Sequence, residues 1–181
     1  MNPPATEISG NSARTGRATR LGRMLPSPLA PRVAARALTE NLSAVTPGRA
    51  LDLACGGGRH AVWLRDQGWA VTAVDLAIEE IAGVNCVRAD LELGEFSIEP
   101  DAWELIVCWL YWQEDLLPAI AAGVHRGGLV ALAGKTSGRF ATSLERYRRA
   151  FAGWEEICAG EDAYKAFFVA RRPVYTAASS G

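Results

Sequence analysis

The chain has 181 residues, with 19 Lys and Arg against 20 Asp and Glu and a formal net charge of −1. A balance this close to zero argues against a protein that holds nucleic acid by its overall field, and no apolar run reaches bilayer-spanning length, so no membrane partner is expected. Cys55, Cys86, Cys108 and Cys158 stand far apart with no Cys-x-x-Cys or Cys/His pair, which points to free thiols in a reducing cytoplasm and to no metal site.

Residues 1–24 differ in composition from the rest. Arg14, Arg17, Arg20 and Arg23 recur every third residue among Asn, Ser, Thr, Gly and Pro, and Glu7 is the only acid. Such a segment cannot bury enough apolar surface to offset chain entropy, so a disordered tail is expected ahead of one domain over 25–181. An organellar transit peptide has the same Arg-rich, acid-poor character, and Met24 is an alternative start.

Val33, Ala34, Ala37, Leu38, Leu42 and Val45 then fall at helical spacing over 31–45, until Thr46-Pro47-Gly48 stops the helix. A short apolar strand over 50–54 contains Asp52 and runs into Gly56-Gly57-Gly58. A helix over 59–67 follows, with Gly68 as its C-cap. The second strand, 69–74, ends at Asp75; a brief helix over 78–82 leads to a third strand, 85–89, ending at Asp90. Residues 102–109 are apolar nearly throughout, as in a strand buried on both faces. A helix over 113–123, a strand over 128–133 after the Arg126-Gly127-Gly128 turn, and a helix over 143–151 come next. Two strands, 154–158 and 163–171, close the chain as a hairpin turning at Gly160-Glu161-Asp162. Alternating strands and helices predict an α/β fold, a Rossmann-like three-layer sandwich whose mostly parallel sheet ends in an antiparallel hairpin.

A strand that ends in glycines and opens a helix is a ligand-binding device, because glycine lets the backbone turn tightly and approach a ligand closely. Gly56-Gly57-Gly58-Arg59-His60-Ala61 also satisfies the dinucleotide pattern G-x-G-x-x-[GA], so an NAD(P)-dependent oxidoreductase stands as an alternative. The acids separate the two. Asp52, inside the strand, is costly unless a cation neighbours it; an amino-acid ammonium suits it and a pyrophosphate does not. Asp75 can accept ribose hydroxyls, and Asp90, within Ala89-Asp90-Leu91, can accept from an adenine amino group. An acid on each of three successive strands, with no phosphate-binding residues, matches a nucleoside carrying an amino acid.

On these residues the sequence resembles the class I S-adenosylmethionine-dependent methyltransferases. Their first motif, acid-x-G-x-G-x-G, stands here as Asp52-Leu53-Ala54-Cys55-Gly56-Gly57-Gly58, with Ala54 in place of the first glycine. The similarity is nearest to the small tellurite-resistance and thiopurine-type branch, carried by residues 51–75, 88–92, 104–120, 151–156 and 167–173, and by Pro26-Ser27-Pro28. The resemblance implies a seven-stranded sheet with its last strand antiparallel, S-adenosyl-L-methionine as cofactor, and a small-molecule methyl acceptor. It implies cofactor contacts from Asp52, Ala54, Cys55, Gly56, Gly58, Asp75, Leu76, Asp90, Leu91, Cys108 and Trp109.

Acceptor residues are harder to read, since methyl transfer needs alignment more than acid–base groups. His60, two residues past the glycines, Tyr111 in the aromatic run after Cys108, and Lys135 beyond the fifth strand are candidates. Each also has a plain structural reading as a helix, packing or surface residue. No Asn/Asp-Pro-Pro-Tyr motif follows the fourth strand, which argues against base or glutamine nitrogens as acceptors. Arg139, Arg146, Arg148 and Arg149 read as a solvated basic face. A monomer or weak homo-oligomer is expected, and a non-catalytic module that keeps this fold is the remaining alternative.

Overall fold

The computed structural model describes Leu42 and residues 45–175. The expected tail over 1–24, Pro26-Ser27-Pro28 and nearly all of the helix expected over 31–45 lie outside the described residues. The elements are β1 (Arg49–Leu53), α1 (Arg59–Asp66), β2 (Ala70–Asp75), β3 (Asn85–Arg88), β4 (Trp103–Trp109), α2 (Leu117–Gly123), β5 (Val124–Lys135), α3 (Leu144–Ala150), β6 (Glu155–Glu161) and β7 (Lys165–Arg171). They build one seven-stranded sheet in the order β3-β2-β1-β4-β5-β7-β6. Strands β1 to β5 run parallel, and β7 is antiparallel to both of its neighbours, β5 and β6. The mostly parallel sheet with an antiparallel end is thus as expected.

Alternation along the strands splits the core in two. Ala50, Leu105, Val107, Ala131 and Val169 point to the face that α1 covers with Ala61 and Leu64. Leu51, Leu53, Ile106, Val130 and Phe168 point to the other face, against Ile120 of α2 and Tyr147 of α3. Because both faces are buried, β4 carries no solvent-facing alternation, which is why it reads as a continuous apolar run. The basic face of α3 is solvated and paired: Arg148 donates to both carboxylate oxygens of Glu156, at 2.9 and 3.0 Å. No helix among the described residues is long and apolar enough to cross a membrane.

Three boundaries differ from expectation. There is no helix over 78–82; Ile78 is a buried plug, and side chains take up the segment's carbonyls, Arg65 donating to Ala82 at 2.6 Å and Arg88 to Ile78 at 3.2 Å. Second, β5 starts at Val124, directly after α2, and Arg126-Gly127-Gly128 lies inside it. Gly127 has φ +82°, a Cβ at Gly128 would sit 2.9 Å from the Glu104 carbonyl, and the β4–β5 register shifts there. The glycines therefore make a strand irregularity, not a turn. Third, Gly160 belongs to β6, because the Phe167 ring lies over it, 2.6 Å from where a Cβ would stand. The hairpin turns later, where Asp162 accepts the amides of Tyr164 and Lys165 at 2.7 and 2.8 Å.

Candidate functional site

The chain leaves β1 and enters α1 through a turn with three left-handed residues, Ala54 (φ +51°), Gly56 (φ +55°) and Gly58 (φ +71°). A Cβ at Gly56 or Gly57 would meet nothing within 4 Å, so the backbone there faces open space. Gly58 is closed in: a Cβ there would overlap Ile81 Cδ1. The amide of Cys55 donates to the Val74 carbonyl at 3.2 Å, tying the turn to the end of β2.

Parallel pairing of β1, β2 and β3 brings the three acids to one end of the sheet. Asp52 is fully buried on the α1 side; Oδ2 accepts the Ala61 amide at 3.1 Å, and Oδ1 has no partner among the described residues. Burial pushes its carboxyl up to about 7, and Asp75 adds to this, against the opposing pull of the Ala61 amide and the Arg59 guanidinium. Asp75 is half-buried, with Oδ2 accepting the Gly56 amide and Oδ1 the Ala77 amide, both at 2.9 Å. Asp90 lies two residues beyond β3, where Oδ1 accepts the Glu92 amide at 2.8 Å and organises a turn. Leu91 beside it is buried, whereas Leu76 is 60% exposed.

Two cavities flank the glycines and share Gly56 and Gly57. One, of about 320 Å³, is lined by Ala54, Cys55, Arg59, His60 and Trp109 as well. The other, of about 590 Å³, is lined by Asp75, Ala77, Glu79, Glu80 and Ile81. In the smaller, the His60 and Trp109 rings lie 5.8 Å apart at 60°. Burial, helped by Arg59, lowers His60 to about 4, so its imidazole is neutral at physiological pH. Burial, then the charges of Asp52 and Asp75, pushes the Cys55 thiol up to about 12, and burial raises that of Cys108 as well. Neither is a nucleophile at neutral pH.

The structure therefore gathers Asp52, Ala54, Cys55, Gly56, Gly58, His60, Trp109 and Asp75 around one turn. Asp52 and Gly58 stand behind that turn and, like Leu76, Asp90, Leu91 and Cys108, line neither of these two cavities. Nor do the other acceptor candidates: Tyr111 donates to Gln113 Oε1 at 2.8 Å and packs on Phe140, and Lys135 is exposed at the end of β5. Sequence reasoning missed Lys165, whose ammonium lies 5.8 Å from the Trp109 ring centroid. Only the pairing of β7 with β5 brings it there, and no local motif signals that pairing. It also missed Ile81, the close neighbour of Gly58.

Solved structures share this architecture. TehB from Haemophilus influenzae superposes with a TM-score of 0.64 at 16% identity, over 75% of this chain and 61% of that one, so the chain spans less than two thirds of that protein's length. The 1,6-didemethyltoxoflavin-N1-methyltransferase of Burkholderia thailandensis, solved with 1,6-didemethyltoxoflavin and S-adenosylhomocysteine, gives 0.60 at 20% identity over 80% and 79% of the two chains. An S-adenosylmethionine-dependent methyltransferase from Mesorhizobium loti gives 0.57 at 17% over 75% and 98%. The fold is the Rossmann-like fold of these methyltransferases, in keeping with the class I resemblance of the glycine motif. A search of curated protein sequences finds no match. The family model of the tellurite resistance protein TehB matches residues 33–101, the stretch that carries the turn and all three acids.

Proposed function

We propose that the protein is an S-adenosylmethionine-dependent methyltransferase acting on a small-molecule acceptor. The observation that carries this reading is the open Gly56–Gly57 floor shared by two cavities, with an unpartnered Asp52 oxygen beneath one side and Asp75 lining the other. A nucleoside joined to an amino acid has the divided shape and the charge such a floor fits. In this reading Asp52 faces the ammonium, the Ala54–Gly58 backbone supports the thioether chain, and Asp75 takes the ribose hydroxyls. The Asp75 oxygens, each already accepting one amide, retain a lone pair apiece for that purpose. Asp90 and Leu91 serve the adenine, Leu76 covers its neighbour, and main-chain groups of Cys108 and Trp109 close the β4 side.

When bound, the cofactor supplies an electrophilic sulfonium methyl. The chain's own work is to align it and keep water out, which suits cavity walls built of buried Trp109, His60 and Cys55. A small acceptor is favoured because the enzyme of the same fold from Burkholderia thailandensis holds one, 1,6-didemethyltoxoflavin. The test is a melting experiment. S-adenosylhomocysteine is expected to raise Tm by several degrees at saturation and NADH to leave it unchanged. Stabilisation by NADH alone replaces this reading with a dinucleotide enzyme; binding of neither replaces it with a non-catalytic module.

A further inference from the structure

His60 and Trp109 share one condition. Each is more than nine-tenths buried, each lines the smaller cavity, and each has a ring nitrogen, His60 Nε2 and Trp109 Nε1, with no hydrogen-bond partner among the described residues. Buried polar groups are normally paired, so two orphans on one cavity wall call for a ligand. The indole N–H can only donate, and a neutral imidazole holds one N–H to donate. Asp52 Oδ1, the third orphan of this region, is an acceptor on the same face of the sheet.

The charges are ordered in the same sense. Arg59 lines the cavity beside His60, and the Lys165 ammonium lies 5.8 Å from the Trp109 ring centroid, with Lys135 opposite Lys165 in the β5–β7 register. Arg59 and Lys165 thus put positive charge beside the His60–Trp109 wall, while the Asp52 carboxyl lies buried behind the glycine turn. Two N–H donors backed by cations, set apart from a carboxylate, complement a zwitterionic α-amino-acid headgroup.

We propose that His60 and Trp109 donate to the α-carboxylate of the cofactor's amino-acid end, making them the residues that select an amino-acid-bearing nucleoside over one without it. This rests on the cofactor reading above and moves His60 from the acceptor to the cofactor. It also assigns Trp109 a side-chain role beyond packing.

The experiment is calorimetric titration of the full chain with three probes: S-adenosylhomocysteine, its carboxamide, and 5′-methylthioadenosine, which keeps the nucleoside thioether and lacks the amino acid. Trp109→Phe and His60→Leu are each expected to weaken S-adenosylhomocysteine about ten- to hundredfold, the loss of a hydrogen bond to a charged group. Binding of 5′-methylthioadenosine stays within about twofold by the same reasoning, which also verifies the fold, and His60→Gln restores part of the loss. Wild-type protein binds the carboxamide at least about tenfold more weakly than the acid, and the gap narrows in Trp109→Phe. Unchanged S-adenosylhomocysteine affinity in both variants, equal wild-type affinity for acid and carboxamide, or parallel weakening of all three probes overturns the proposal. Failure of the wild type to bind any of the three overturns the cofactor reading itself.

Discussion

Asp75 Oδ2 accepts the amide of Gly56 at 2.9 Å across two adjacent strand ends. The carboxylate that ends β2 thus holds in place the turn that ends β1. A single side chain both shapes the floor of the site and lines one of its cavities.

Replacing Asp75 by Ala is therefore expected to act twice. Releasing the amides of Gly56 and Ala77 costs about 1–3 kcal/mol of stability, measured by urea unfolding. S-adenosylhomocysteine binding falls by more than that stability loss accounts for, measured by calorimetry. A stable variant with unchanged affinity would contradict both halves.

Ala54 occupies a left-handed conformation, φ +51°, that alanine adopts at a cost of about 1–2 kcal/mol and glycine does not. Ala54→Gly is expected to stabilise the protein by about 0.5–1 kcal/mol, the gain being trimmed by the greater freedom of the unfolded chain. Urea midpoints with an unchanged slope would measure it. A destabilised Ala54→Gly would mean that the methyl group packs, and that the turn carries no strain.

Gly58→Ala combines a left-handed φ of +71° with a methyl that overlaps Ile81 Cδ1. The expected loss is about 1–3 kcal/mol, most of it backbone strain, because Ile81 Cδ1 is the far end of a flexible side chain that can shift. Trimming the neighbour in Gly58→Ala/Ile81→Ala should relieve the overpacking and leave the strain, which a double-mutant cycle would separate.

Much of this site was legible in the sequence, for physical reasons that differ by residue. Gly56, Asp52 and Asp75 announce themselves because only certain residue types tolerate a left-handed turn or a buried charge. Strand β4 announces itself because a strand buried on both faces has few polar positions, Glu104 being its only charged residue. What stayed hidden depends on contacts distant along the chain. The helix expected over 78–82 gives way to arginine–carbonyl bonds from Arg65 and Arg88, and within β5 the Glu104 carbonyl leaves no room for a Cβ at Gly128. Lys165 reaches Trp109 only through strand pairing, so local pattern could not place it there.

The two buried titratable groups of the site respond to pH in opposite senses. Asp52 titrates at about 7 in the fold against an ordinary 3.8, so its stabilising contribution is complete below 3.8 and is lost as pH rises through 7. His60 titrates at about 4 against an ordinary 6.5, so its contribution is complete above 6.5 and is lost as pH falls through 4. Relative to wild type, Asp52→Asn should gain stability as pH rises from 4 to 7, and His60→Gln should gain as pH falls from 6.5 to 4. Each slope is on the order of 1 kcal/mol per pH unit, read from urea unfolding across that range. Parallel curves for wild type and either variant would remove that group from the account.

The last of the seven strands, β7, occupies an interior place between β5 and β6. While the polypeptide is being made, β6 has emerged from the ribosome with no strand to join, since its only neighbour is the one still to come. The turn, α1 and the strands from β1 to β5 can assemble early, with Lys165 not yet present to cap the Trp109 wall. The nascent chain thus carries the pieces of the binding floor before its sheet is closed, and β5 presents an unpaired edge in the meantime. That edge is the point where misassembly between unfinished chains is to be expected.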